Sequence, residues 1–218
     1  MGCWLPRYLP RYTTLSPMMG LLCKKGKPTM NKVMIISALL ALMAAPALAV
    51  AGPSVGIDYT DMGLSGHAGR PGVSLNAGNV YDNGVVADGS ASIARGYYQM
   101  DMSIGKLIPA DGLSFEPYAS ANFLNLSTAQ AQSIQDFYGL AGVNMNIPLS
   151  RKVIFGLGGA YGHTISTYGG GNGGAVYTGD AIVSFQIAPR VSTDMQVEYQ
   201  HVPGAAMTDY SAGINYHF

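Results

Sequence analysis

The last eleven residues, Thr208 to Phe218, set a pattern that recurs along most of the chain: Tyr210, Ala212, Ile214, Tyr216 and Phe218 alternate with Asp209, Ser211, Gly213, Asn215 and His217. Period-two alternation describes a strand with one apolar and one polar surrounding. Seven earlier stretches repeat it: Pro71–Tyr81, Tyr97–Ile108, Leu113–Leu124, Gln135–Ile147, Val153–Thr164, Ala175–Ile187 and Val191–Val202. Pro117 falls within one of them and removes a ladder donor in mid-strand. No window reads as an amphipathic or membrane-spanning helix. The pattern therefore predicts an all-β fold, an antiparallel up-and-down barrel of eight strands over residues 71–218.

The connections alternate in length. Pro109–Gly112, Leu149–Lys152 and Ala188–Arg190 read as tight turns, whereas Asp82–Gly96, Asn125–Ile134, Ser166–Gly174 and Pro203–Met207 read as longer loops. Short periplasmic turns alternating with longer external loops are the habit of outer-membrane barrels. Val50 to Arg70 is left over, although Val55, Ile57 and Tyr59 alternate there with Gly56, Asp58 and Thr60. It reads as an N-terminal segment in the periplasm or entering the lumen. The alternative is ten strands, with residues 50–70 supplying one and Val85–Ala94 another.

Apolar parity alone does not say which face is outside, because a soluble lipocalin-like barrel keeps its apolar face inside. The opposite parity decides it. It carries Gln99, Asn122, Asn144, Gln186, Gln196 and Asn215, together with Gly142, Gly156, Gly158, Gly162 and Gly213, which suit a narrow interior. Aromatics fall at two levels: Tyr81, Tyr98, Phe123, Phe137, Tyr161, Tyr177 and Tyr199 near the loops, and Phe115, Phe155, Phe185, Tyr216 and Phe218 near the turns. Two aromatic levels are the girdles of a transmembrane barrel.

The front of the chain changes the electrostatic picture. Met30 to Ala49 reads as a secretory signal peptide, with Lys32, an apolar run from Val33 to Ala45 and the small-x-small site Ala47-Leu48-Ala49. That run is short against the roughly 20 residues a spanning helix needs. Residues 1–29 have no periodicity and read as an extension upstream of the true start. Six of the twelve basic residues precede the cleavage site and all twelve acids follow it, so the exported part carries six excess negative charges. Nucleic-acid binding loses its electrostatic basis. Cys3 and Cys23 also leave with the front, which excludes disulfide and thiolate chemistry from the exported part.

Candidate chemistry lies inside the barrel. Asp101, Glu116, Asp180, Asp194 and Glu198 have lumen-facing parity, and no Lys or Arg shares it clearly. Hydration, protonation or hydrogen bonding must answer such a cluster, with Arg70 and Arg95 as the bases in reach. It reads either as a polar packed core or as the lining of a narrow cation-preferring path. Outer-membrane lipid A deacylases use a lipid-facing His and Ser two residues apart. Here His163 and Ser166 are three apart and Ser211, near His201, has inner parity, so the chain does not read as an enzyme. His67, His163, His201 and His217 show no metal-ligand spacing, and the glycine-rich run 169–174 lacks the Lys and helix of a phosphate loop. No cofactor is expected.

With the signal peptide, the Asp58-Tyr59-Thr60 segment, the glycine-punctuated strands and the terminal Tyr216-His217-Phe218 in view, the exported chain resembles the small YfaZ-type outer-membrane proteins of proteobacteria. The closing strand likewise resembles those that the barrel-assembly machinery reads, which implies that Tyr210, Ile214, Tyr216 and Phe218 form an assembly signal. The resemblance implies a place in the outer membrane among lipid and lipopolysaccharide, and no defined activity. A structural or surface-interaction role is expected, with a narrow channel for ions or small solutes as the alternative.

Overall fold

The computed structural model describes residues 52–64, 69–127, 133–168 and 173–218. The expected signal peptide and the stretch before it lie outside the described residues. Eleven strands follow one another: β1 (Gly52–Leu64), β2 (Arg70–Val80), β3 (Val85–Ala94), β4 (Tyr97–Lys106), β5 (Ile108–Ala110), β6 (Leu113–Ser127), β7 (Ser133–Ser150), β8 (Val153–Tyr168), β9 (Ala175–Ala188), β10 (Val191–Val202) and β11 (Ala205–His217). Neighbours in sequence pair antiparallel except β4 and β5, which both pair with β6, and β11 pairs with β1. The ladder closes as a ten-strand barrel with β5 as a short addition. Closure leaves no edge for unpaired N–H and C=O groups, which a bilayer demands.

The count corrects the eight-strand expectation in favour of ten. Residues 50–70 are no free-standing segment: β1 is the closing strand, paired through Ile57 to Ile214 on β11 and to Leu75 on β2. The expected loop 82–96 contains β3. Its outward positions are Ala87, Gly89, Ala91 and Ile93 and its inward ones Val86, Asp88, Ser90 and Ser92, so only one large apolar side chain marks the outer face. Hydrophobic alternation is faint where the outer residues are small. Restoring β3 also reverses the direction assigned to Pro71–Tyr81, so Tyr81 belongs to the end of the barrel that holds the start of β1 and the end of β11, opposite to the expected level.

The loops are shorter than expected. β3 and β4 are joined by Arg95-Gly96 and β10 and β11 by Pro203-Gly204, two-residue turns in which Gly96 and Gly204 take φ of 69° and 91°. Positive φ costs any residue with a Cβ, which is why glycine stands there. On the opposite end, which holds the start of β1 and the end of β11 and which we take as periplasmic, Arg151-Lys152 and Pro189-Arg190 make similarly tight links.

Pro117 explains β5. Gly105 pairs with Tyr118 and Ile108 with Phe115, so β4 and β5 keep one register against β6 and are interrupted only opposite Glu116 and Pro117. The Leu107 N–H turns the other way and donates to the Gly84 carbonyl at 2.7 Å. Lys106 therefore faces β6 at Pro117, which has no N–H to give its carbonyl. The expected cost of this proline appears as a break in the ladder.

Candidate functional site

Inward side chains pack by a rule that the backbone makes visible. Polar side chains of one strand fold over glycines of the next. A Cβ placed on Gly213 would lie 1.6 Å from Asp58 Oδ1; on Gly158, 2.1 Å from Asp180 Oδ1; on Gly56, 1.9 Å from Asn215 Oδ1; on Gly78, 2.2 Å from Asp88 Oδ1. The register brings this about, since Gly213 stands between Asp58 on β1 and Asp194 on β10. Ten strands enclose a lumen that takes these side chains only where the neighbouring position gives up its own.

The lumen is not uniform along its axis. Toward the extracellular end, Met62, Tyr97, Leu124, Leu126, Ile134, Tyr138, Leu140, Val176, Val202 and Met207 turn inward from β1, β4, β6, β7, β9, β10 and β11 and form one buried cluster. Leu124, Leu126, Tyr138, Val176 and Val202 are 0 % exposed. This is an apolar plug. Gln200 Nε2 donates to the Tyr138 hydroxyl within it. Asp136, paired across the ladder with Leu124 and Thr167, is fully buried there, and neither carboxylate oxygen has a partner.

Below the plug a cavity of about 890 Å³ runs to the periplasmic end. It lies against β1–β4 and β9–β11. On the other side the Tyr118 ring leans over Gly142, 2.7 Å from where a Cβ would stand, and occupies the space there. Six acids line the cavity: Asp58, Asp88, Asp101, Asp194, Glu198 and Asp209, with Arg151, Lys152 and His217 near its mouth. Of the five lumen-facing acids expected from sequence, Asp101, Asp194 and Glu198 line this cavity. Glu116 and Asp180 do not, and they pack toward Gly105 and Gly158 instead. Three further acids lie outside that expectation: Asp58 and Asp88 sit on β1 and β3, which the eight-strand reading leaves out of the wall, and Asp209 sits on the closing strand. Gly213 opposite Asp58 and Gly78 opposite Asp88 are the available signal for those two.

Few of these carboxylates are answered by protein groups. Ser90 Oγ and Gln99 Nε2 donate to Asp101 at 2.8 and 2.9 Å, and the Tyr97 hydroxyl donates to Gln99 Oε1 at 2.5 Å, tying the plug to the cavity floor. Asn76 Nδ2 donates to Asp58 Oδ2 at 2.8 Å. Asp58 Oδ1, Asp194 Oδ1 and Asp209 Oδ1 are buried without partners. Arg70, expected as a base reaching in, instead donates to the Gly96 and Ser127 carbonyls at 3.2 and 2.9 Å, lashing β2, the β3–β4 turn and β6 together at the extracellular rim. Arg95 is exposed on that turn.

The histidines do not assemble a catalytic group. His163 is exposed, with Nδ1 3.0 Å from the Thr164 carbonyl oxygen. His201 stacks on Tyr177 at 4.6 Å on the outer face, whereas Ser211 lines the cavity, so the barrel wall separates them. His217 Nε2 meets Ser192 Oγ at 2.9 Å. His67 lies outside the described residues, as does most of the glycine run 169–174. Among the described residues no three His, Cys, Asp or Glu side chains stand close enough to hold a metal ion.

The outside is the reverse of the inside. Ile57, Val73, Leu75, Ile104, Val143, Leu157, Val197 and Ile214 are exposed around the wall, a surface no water-soluble monomer presents. Tyr98 with Phe123 and Tyr177 with Tyr199 pair at 6.1 and 6.2 Å toward the extracellular side, and Tyr216 meets Phe218 edge-on at 5.1 Å at the periplasmic side. Tyr210, Ile214, Tyr216 and Phe218 all face outward from β11. A closed barrel with an apolar belt between aromatic rings belongs in the outer membrane of a Gram-negative bacterium.

No protein-family model and no curated protein matches the sequence. Among solved structures, the chain is similar to the COG4313 outer membrane channel from Pseudomonas putida F1, with 8 % identity over 80 % of this chain and 97 % of that one and a TM-score of 0.51. It is also similar to the KdgM porin, with 14 % identity over 75 % and 99 % and a TM-score of 0.44. For Neisserial surface protein A the figures are 13 %, 76 %, 96 % and 0.41. The first of these likenesses bears on the fold: a small closed outer-membrane barrel.

Proposed function

We infer that the protein is a non-conducting outer-membrane barrel with a structural or surface-interaction role in the envelope. The apolar plug supports this reading: among the described residues Leu124, Leu126, Tyr138, Val176 and Val202 are fully buried in one cluster toward the extracellular side. A dry apolar constriction excludes ions by dewetting. The YfaZ-type resemblance, whose members have no defined activity, agrees with such a role. The outward Tyr210, Ile214, Tyr216 and Phe218 of the closing strand serve as the signal for the barrel-assembly machinery, and the aromatic rings meet lipid and lipopolysaccharide.

The second reading is a narrow channel for ions or small solutes, favoured by the acid-lined cavity beneath the plug. Single-channel recording on refolded protein in planar bilayers separates the two. The wild type is expected to be silent, and Leu126→Ala with Tyr138→Ala to give measurable conductance. Steady conductance in the wild type would overturn the closed reading.

A further inference from the structure

The cavity below the plug has one end. We propose that it is a receptacle, open to the periplasm, for a small linear polycation of the polyamine class. This rests on the plug being closed.

The charge balance comes first. Six carboxylates line the cavity, and among the described residues none forms an ion pair. Carboxylates crowded in a water-poor wall repel one another and require counter-charge. Among the described residues the only Lys or Arg side chains in the lining are Arg151 and Lys152, at the mouth, so charge for the interior comes from a ligand or from protons. The wall is unfinished in a second respect. Thr60, 2 % exposed, lines the cavity near the plug without a hydrogen bond to its hydroxyl, and Glu198 lines it without a donor. Both are polar groups held in place with nothing to hold.

The arrangement selects the class of cation. A single metal ion needs three or more ligands converging on one point, and among the described residues no such group exists. The acids are strung out instead. On β10 alone Asp194 and Glu198 are four residues apart on the same face, about 13 Å along a strand at about 3.3 Å per residue. Asp88 and Asp194 stand toward the mouth, Asp101 deeper, and Glu198 with its cross-strand partner Asp209 nearest the plug. Ammonium groups spaced along a flexible chain meet such a ladder, with Thr60, Gln196 and Ser211 taking the remaining N–H donors. The cavity volume of about 890 Å³ is within the usual range for small-molecule sites.

Isothermal titration of the refolded protein in detergent with spermidine tests this, with magnesium chloride at matched ionic strength as the comparison. The expected result is saturable spermidine binding that Asp194→Asn with Glu198→Gln weakens at least tenfold, that Asp111→Asn on an exposed turn leaves unchanged, and that magnesium does not reproduce. If the double variant does not fold, Asp194→Asn alone must weaken binding about threefold. Absence of saturable binding to the wild type, equal affinity in the folded variants, or equivalent binding of magnesium would overturn the proposal. A conducting wild type in bilayers would instead overturn the closed reading, so the two failures are told apart.

Discussion

Replacing Gly213 by alanine puts the interior packing rule to a quantitative test. The new Cβ would lie 1.6 Å from Asp58 Oδ1 and 2.7 Å from the Ile57 carbonyl oxygen. The Asp58 side chain has to swing away and gives up its 2.8 Å hydrogen bond from Asn76, while the Ile57 contact, being backbone, forces β1 and β11 apart. Overpacking costs about 1–3 kcal/mol, a lost charge-assisted hydrogen bond about 1.5–3, and the stiffer unfolded chain returns about 0.5–1, leaving about 2–5 kcal/mol of destabilisation. Asp58→Ala in the same background removes the side-chain part and spares the backbone part, so the double-mutant cycle shows a coupling of at least about 1.5 kcal/mol. The chain's one tryptophan, Trp4, precedes the barrel, so folding is followed by urea titration in lipid vesicles with heat-modifiable gel mobility and circular dichroism. A Gly213→Ala protein within about 0.5 kcal/mol of wild type, or a cycle without coupling, refutes the rule.

Asp136→Leu is expected to stabilise the barrel by at least about 1 kcal/mol in the same titration, because a buried acid without partners is replaced by an apolar side chain among its own kind. Leu124→Ala is expected to cost about 2–5 kcal/mol, the usual range for emptying a packed core position. Pro117→Ala gives the Lys106 carbonyl a donor, and hydrogen exchange should show residue 117 gaining a protected amide while overall stability changes by less than about 1 kcal/mol. Arg70→Ala is expected to leave the barrel folded but to raise protease cleavage at the extracellular rim, where its two hydrogen bonds to Gly96 and Ser127 are lost.

Strands whose outer face carries large residues were legible from the sequence, as in Tyr98, Met100, Met102 and Ile104 of β4. β3 was not, because alanine and glycine on its outer face leave the period without amplitude. β1 did alternate, but the pattern does not say whether a strand lies in the wall or beside it; that depends on the long-range pairing of Ile57 with Ile214. The same limit governed the site. Parity put Asp101, Asp194 and Glu198 inside, yet whether an inward acid meets open space or a filled wall depends on its neighbour across the ladder, and Glu116 and Asp180 fell on the filled side. The plug escaped notice for a related reason: Leu124, Tyr138 and Val202 are apolar residues on the polar parity, and a strict two-face reading passes over them.

The pairing of acid with glycine across strands has a consequence for how such a barrel changes over time. At Gly213, Gly158, Gly56 or Gly78 a larger residue is admitted only if the side chain leaning over it shrinks. Substitutions inside the lumen are therefore expected to arrive as exchanges between adjacent strands, with bulk handed from one strand to the next. Related barrels diverging by this route would keep the volume of their interiors while scrambling the residues that fill them, so an inherited shape would outlast any recognisable likeness of sequence.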